Sequence, residues 1–222
     1  MNYAEVYGQL HESGAQKHFA GYTLKRYRDT IAGMVKETRP RLLLDYGSGK
    51  GYQYVDRAYH AAWAPFMADD AAPRAGVPVC YDVGVRQLRQ RPCSGAKDCV
   101  ERCPWVHPKS KSPCEKTPIF DGVFSTDMLE HIERQDLPRI LRDMMTFLTS
   151  EDRPTFAFFS VSCIPADKFL PDGRNVHVTM EPPEWWIPML TEQFAKAPGP
   201  QLRMKVMFET KDKMVTHEWR RD

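Results

Sequence analysis

An α/β domain whose mostly parallel sheet ends in an antiparallel hairpin is the fold class this sequence predicts, and three stretches predict it. Residues 42 to 51, LLLDYGSGKG, break an apolar run at Asp45 into Gly47, Gly49 and Gly51. That is the pattern of a buried parallel strand feeding a turn whose backbone passes close beneath a ligand. Residues 120 to 132, FDGVFSTDMLEHI, make a second crossing of the same kind, where Val123 and Phe124 give way to Ser125, Thr126 and Asp127. Near the end, Leu202, Met204, Val206 and Phe208 alternate with polar residues, Thr210 to Lys213 turn the chain, and Val215, His217 and Trp219 alternate again. Such period-two runs on either side of a short polar turn predict an antiparallel pair.

The remaining elements follow in order. Residues 4 to 38 read as helical, with Leu24, Tyr27, Ile31 and Val35 recurring at spacings of three and four, so that residues 1 to 40 form a helical cover over the sheet edge. Pro40 ends that helix before the first strand. Tyr52 to Ala64 predict the helix after the glycine loop, its N-terminal amides aimed at an anionic group. Val77 to Val83 form a second strand closed by Asp82. Leu137, Ile140, Leu141, Met144, Met145 and Leu148 mark an amphipathic helix with Asp136 and Pro138 at its start. Phe156 to Val161 follow as a buried strand, and Glu184 to Phe194 as a helix. There is no internal repeat and no low-complexity linker.

Composition sets the outer bounds. With 222 residues and 42% hydrophobic content, the chain suits one domain with a sizeable core and leaves no room for a second full domain. A net charge of +2 is too balanced to demand a nucleic-acid partner, although Arg86, Arg89, Arg91, Lys109 and Lys111 make the middle locally basic, the composition of a solvated loop. The first 14 residues lack a basic start followed by an apolar core, and no stretch approaches the roughly 20 apolar residues of a membrane span. A soluble cytoplasmic protein with no membrane partner is the expectation.

The glycine loop and the D-M-L-E-H-I segment together resemble the class I S-adenosylmethionine-dependent methyltransferases. Further stretches, FAGYTL near residue 19, YDVGV from Tyr81 and GRNVHVTMEPPEWW from Gly173, resemble a phage and bacterial subgroup of small methyltransferases, and the likeness covers most of the chain except residues 88 to 117. The resemblance implies a Rossmann-like, seven-stranded sheet, six strands parallel and the last reversed, with helices on both faces. It implies S-adenosyl-L-methionine as cofactor, held by Asp45, Gly47, Ser48, Gly49, Gly51, Tyr54, Asp82, Thr126, Asp127, Met128 and His131. Asp82 would take the ribose hydroxyls, as an acid does in dinucleotide sites. Roughly 30 residues separate Gly51 from Asp82, against about 20 in the usual two-strand unit, so a loop around Ala62 to Gly76 is inserted.

Methyl transfer from a sulfonium is an in-line displacement, so an enzyme of this class chiefly positions a nucleophile, and a base matters only when that nucleophile must lose a proton. His131 and His177 are the candidate bases, since an imidazole titrates near neutrality. His131 can equally cap a helix or pack beneath the cofactor, and Glu130 is a cofactor-shell or structural candidate. Asp172 to Trp186 would fold over the mouth at the carboxyl ends of the strands, with Asn175 and His177 as hydrogen-bonding groups and Trp185 and Trp186 as flat faces for an acceptor. At least one of those tryptophans is expected to anchor its helix to the core instead. Tyr52 and Tyr54 either touch cofactor or pack.

Cys93, Cys99, Cys103 and Cys114 fall within 22 positions of a chain that has six cysteines. Four thiolates can surround Zn²⁺ tetrahedrally and cross-link a polar loop too short for its own core, and His107 could replace one of them. Their spacing, with five, three and ten intervening residues, is not that of common zinc ribbons, so unliganded thiols and an iron–sulfur cluster stay open beside structural zinc. Cys80 and Cys163 sit in predicted strands as core residues. The acceptor expected is a small molecule, nucleotide or sugar-like compound with an oxygen or nitrogen nucleophile. Nucleic-acid or protein methylation docked by the basic cysteine-rich insertion is one alternative, and a non-catalytic cofactor-binding subunit is another.

Overall fold

A computed structural model describes residues 23–40, 42–49, 54, 78–82, 120–148 and 153–222. Among these, the chain runs α1 (Leu24–Thr38), β1 (Leu43–Tyr46), β2 (Val79–Tyr81), β3 (Gly122–Thr126), a 3-10 turn (Leu129–His131), α2 (Leu137–Thr146), β4 (Thr155–Ser162), α3 (Pro183–Lys196), β5 (Leu202–Glu209) and β6 (Met214–Arg221). The strands form one sheet in the order β2-β1-β3-β4-β5-β6. Its first five strands are mutually parallel, and β6 runs antiparallel to β5 at the sheet edge. The α/β class and the reversed final hairpin agree with the sequence. The strand number among the described residues is six, not seven.

The period-two pattern of the strands divides the core between the two faces. In β4 every residue is buried. Phe156 and Phe158 pack towards α1 with Tyr27, Ile31 and Val35, whereas Ala157, Phe159 and Val161 pack on the other side with Leu141 and Met144 of α2 and Trp186 and Leu190 of α3. A strand flanked by helices on both faces must be apolar at every position, which is why the Phe-rich run has no polar alternation until Ser160. Each fully buried Leu or Phe contributes about 1.5–3 kcal/mol.

In β5 the alternation is visible. Leu202, Met204, Val206 and Phe208 are buried on the α2–α3 side, while Arg203, Lys205, Met207 and Glu209 are half-buried. On that second side α1 meets β5 through ion pairs, Arg203 with Glu37 and Arg26 with Glu209 at 2.7 Å. α1 ends at Thr38, where Arg39 takes a left-handed φ of 50° and its N–H returns to Val35 O, one residue before Pro40. The β5–β6 turn is closed by Thr210, whose N–H and hydroxyl both donate to Lys213 O at 3.0 and 2.7 Å. α2 begins at the expected place, but Asp136 makes no side-chain cap and lies 3.7 Å from Arg139 instead.

Gly122 sits in register between Leu43 and Phe156. A Cβ there would come 2.6 Å from Leu43 Cδ2 and 2.8 Å from Phe156 Cζ. Gly122→Val should therefore overpack the α1 side and lower stability by about 1–3 kcal/mol, read as a lower urea midpoint at unchanged slope. An unchanged midpoint would mean that Phe156 can move aside without cost.

Candidate functional site

The carboxyl ends of β1 to β4 share one rim of the sheet. β1 pairs with β2 on one side and β3 on the other, so the chain reverses its direction of travel across the sheet at β1, the position where open α/β sheets leave a crevice for ligands. The turn leaving β1 lies in that crevice. Gly47 and Gly49 adopt φ of 81° and 58°, left-handed values that glycine reaches without strain. Gly47 N–H and Ser48 N–H donate to Tyr81 O at 2.7 and 3.2 Å, and Gly49 N–H donates to Asp82 Oδ2 at 2.8 Å. The end of β2 thus holds the turn in place. A Cβ on Gly47 would collide with Met128 Cγ, so the first glycine also makes room for the segment after β3. Asp45 is 1% exposed and accepts a short hydrogen bond from Tyr54 OH. The Ser48 hydroxyl is buried and has no hydrogen-bond partner among the described residues.

The crossing after β3 is held by a half-buried acid. Asp127 takes a left-handed φ of 49°, and its Oδ1 accepts from Ser160 Oγ at 2.6 Å and Tyr27 OH at 3.1 Å. Its N–H returns to Ser160 Oγ at 2.9 Å. Burial raises the Asp127 pKa against these two hydrogen bonds, and burial followed by the Asp127 charge raises that of Tyr27. Thr126 hydroxyl meets Thr23 hydroxyl at 2.9 Å, tying the start of α1 to the same rim.

Three residues further on, Glu130, His131 and His177 converge, with one ligand-type atom from each lying within 4.8 Å of the others. Glu130 is fully buried, its Oε1 accepting from Ser162 N–H at 3.1 Å. Its pKa is raised well above the carboxylate range by burial first and by the Asp127 charge second. His131 is 8% exposed, with Nδ1 at 2.9 Å from Val176 O. Burial and the neighbouring His177 lower its pKa to about 3. His177 has Nδ1 at 2.6 Å from Ile164 O and Nε2 at 4.0 Å from Glu130 Oε1. The two imidazoles meet edge to face, their centroids 4.8 Å apart.

Asp45, Gly47, Ser48, Gly49, Asp82, Thr126, Asp127, Met128 and His131 therefore fall on strand ends or turns of one rim, and the helical Tyr54 reaches it through Asp45, whereas Gly51, His107, Cys93, Cys99, Cys103 and Cys114 lie outside the described residues. Asn175 faces inward to the backbone. Its Oδ1 accepts from Ala166 and His177 N–H at 3.1 and 2.9 Å, and its Nδ2 donates to Ala166 O at 2.7 Å, so its amide clamps the loop rather than facing an acceptor. Trp186 is 0% exposed and its Nε1–H donates to Glu181 O at 3.0 Å, which makes it the core anchor of α3. Trp185 is half-buried beneath the Arg134 guanidinium, 5.9 Å from the ring centre. Cys80, expected as a core thiol, is buried and disulfide-bonded. Cys163 is a free half-buried thiol whose pKa burial pushes up to about 12.

Sequence reasoning missed Tyr27 and Ser160 as site residues. Tyr27 was hidden in an apolar helical stripe. Ser160 and Ser162 had a signal, two hydroxyls closing a strand that after Thr155 is otherwise made of Phe, Ala and Val. No family model, curated protein or solved structure matches this chain. Among the described residues, no helix is long and apolar enough to cross a membrane.

Glu209, at the carboxyl end of β5, has its pKa lowered by the hydrogen bond to Arg26. A depressed carboxylate contributes stability above the ordinary carboxylate range and loses it as pH falls through the folded value. Glu209→Gln should cost about 0.5–1 kcal/mol at pH 7, the scale of a partly exposed pair. The difference from wild type should close below about pH 4, followed by urea midpoints across a pH series. A deficit that persists in acid would trace to packing rather than charge.

Proposed function

We propose that this chain is an S-adenosylmethionine-dependent methyltransferase acting on an oxygen or nitrogen nucleophile of a small-molecule, nucleotide or sugar-like acceptor. What carries the proposal is the turn after β1. Two left-handed glycines stand at the switch point of the sheet, braced by Asp82 from β2 and by Met128 from the segment after β3. A buried Ser48 hydroxyl without a partner among the described residues leaves a donor for a polar ligand on that turn. The fold that goes with this function has a seventh strand, which the 37 residues between Asp82 and Phe120 are long enough to supply.

The cofactor, when bound, supplies a methyl group on a positively charged sulfur. The protein's part is to orient and to exclude water. Gly47, Ser48 and Gly49 would line the cofactor, Asp82 would take ribose hydroxyls beside the Gly49 N–H it already holds, and Thr126, Asp127 and Met128 would close the opposite wall. His131, neutral and buried, is a weak proton acceptor. His177, with 12% of its side chain exposed, is the better placed of the two histidines to reach an acceptor.

Calorimetric titration with S-adenosylmethionine and S-adenosylhomocysteine, with nicotinamide and flavin nucleotides as controls, tests this function. Both sulfur compounds should bind. Gly49→Arg should abolish binding by filling the turn, and Asp82→Ala should weaken it about tenfold, the value of one lost hydrogen bond to a charged group. Folded wild-type protein that binds neither compound would end the proposal.

A further inference from the structure

We propose that Glu130, His131 and His177 form a binding site for a divalent first-row transition metal, with two imidazole nitrogens and one carboxylate as ligands and open positions for an oxygen donor. The three groups come from two segments brought together by the fold. Glu130 and His131 belong to the 3-10 turn after β3, and His177 lies on the strap between β4 and α3. Their candidate ligand atoms all lie within 4.8 Å of one another.

Glu130 supplies the second, independent observation. Its carboxyl group is 0% exposed, Oε1 has the Ser162 N–H, and Oε2 has no hydrogen-bond partner among the described residues. A carboxylate removed from water with one oxygen unmatched is costly, and a divalent cation is the partner that best offsets it. Protonation would remove the charge but would leave a hydroxyl at Oε2 with no acceptor among the described residues.

The histidines are arranged as ligands in a further respect. Each Nδ1 lies on a backbone carbonyl, Val176 O at 2.9 Å for His131 and Ile164 O at 2.6 Å for His177. A carbonyl only accepts, so Nδ1 carries the proton in both rings and Nε2 carries the lone pair. That second hydrogen bond is what fixes the ring and tautomer of metal-binding histidines.

The strap is tied to the turn by Thr179, whose N–H donates to Glu130 O at 3.0 Å and whose hydroxyl donates to Ile132 O at 2.7 Å. Asn175 Oδ1 holds His177 N–H at 2.9 Å. Metal bonds of about 2.1 Å place neighbouring ligand atoms about 3.0–3.4 Å apart. The 4.0 Å between His177 Nε2 and Glu130 Oε1, like any wider pair within the 4.8 Å group, therefore has to shorten on loading.

Two imidazoles with one carboxylate suit Mn²⁺, Fe²⁺, Co²⁺, Ni²⁺ or Zn²⁺ rather than the all-oxygen ions or Cu(I). Three protein ligands leave positions for water, a hydroxyl or a carboxylate. If the methyl-transfer function above is right, an oxygen of the acceptor would occupy one of those positions. That last point rests on the function, whereas the metal site does not.

Mn²⁺ is the probe of choice, because hard ions ignore thiolates and the cysteine-rich segment will not compete for it. Full-length protein stripped with a chelator and titrated with Mn²⁺, without S-adenosylmethionine, should quench the resonance of the free hydrated ion to one equivalent and gain thermal stability. Glu130→Gln and His177→Ala should each weaken binding at least tenfold and remove that gain. If His177→Ala fails to fold, the near-isosteric Glu130→Gln, checked by circular dichroism, decides alone. Absence of stoichiometric Mn²⁺ binding, or binding unchanged in Glu130→Gln, would overturn the site. Because the titration omits the methyl donor, its failure would leave the calorimetric test of the cofactor standing, and the reverse.

Discussion

Acids at the carboxyl rim of the sheet, Asp45 and Glu130 buried and Asp127 half-buried, impose the constraint around which the rest is arranged. Asp45, Asp127 and Glu130 sit where three chain segments cross, and taking a carboxylate out of water costs several kcal/mol unless it is matched by donors or charge. Asp45 is matched by Tyr54, and Asp127 by Tyr27 and Ser160. These demands explain residues that core packing does not. A phenol in the middle of the apolar stripe of α1 positions that helix over β3 and β4, and a serine interrupts a phenylalanine-rich strand at the one point where Asp127 needs a donor. Glu130 accepts from the Ser162 N–H, and its Oε2 has no hydrogen-bond partner among the described residues.

Backbone conformation at the same rim follows from the same need. Asp127 is a non-glycine residue in the left-handed region, a conformation that costs about 1–2 kcal/mol. Its side chain and N–H both engage Ser160, so the conformation is held by the hydrogen bonds that satisfy the acid. At Gly47 the left-handed turn is free of that cost, and the missing side chain is what lets Met128 close over the turn.

The parts of this architecture visible in the sequence are those encoded over short distances. Alternation at Leu202 to Phe208 and at Val215 to Trp219 marked the hairpin, the three- and four-residue spacing from Leu24 to Val35 marked α1, and the glycines after Leu44 marked the turn. Each is a local pattern that the backbone geometry of strand, helix or turn demands. What was hidden depends on separations of tens to a hundred residues. Tyr27 and Asp127 are 100 positions apart, and Glu130 and Ser162 are 32 apart, and no periodicity relates them. Trp185 and Trp186 show the limit most directly. Adjacent and identical in type, they differ in depth, Trp186 fully buried in the α2–α3 side of the core and Trp185 half-buried at its edge, a difference set by the helix phase against the sheet.

Met128 to His131 joins the glycine turn and the Glu130–His131–His177 cluster into one mechanical unit. Met128 fills the space above Gly47, and within three residues the chain delivers Glu130 and His131 to the triad, with Thr179 fastening the His177 strap to the Glu130 carbonyl. A four-residue segment this constrained has few independent arrangements, since moving Met128 displaces the 3-10 turn that presents Glu130. A ligand that favours one arrangement of the turn from the glycine side favours the same arrangement for the triad, and by linkage the converse holds with equal free energy. The motif that most resembles a methyl-donor site and the cluster that offers metal ligands thus draw on one short stretch of backbone, so substitutions at Met128 and at Glu130 should combine non-additively, as contacts in a shared network do.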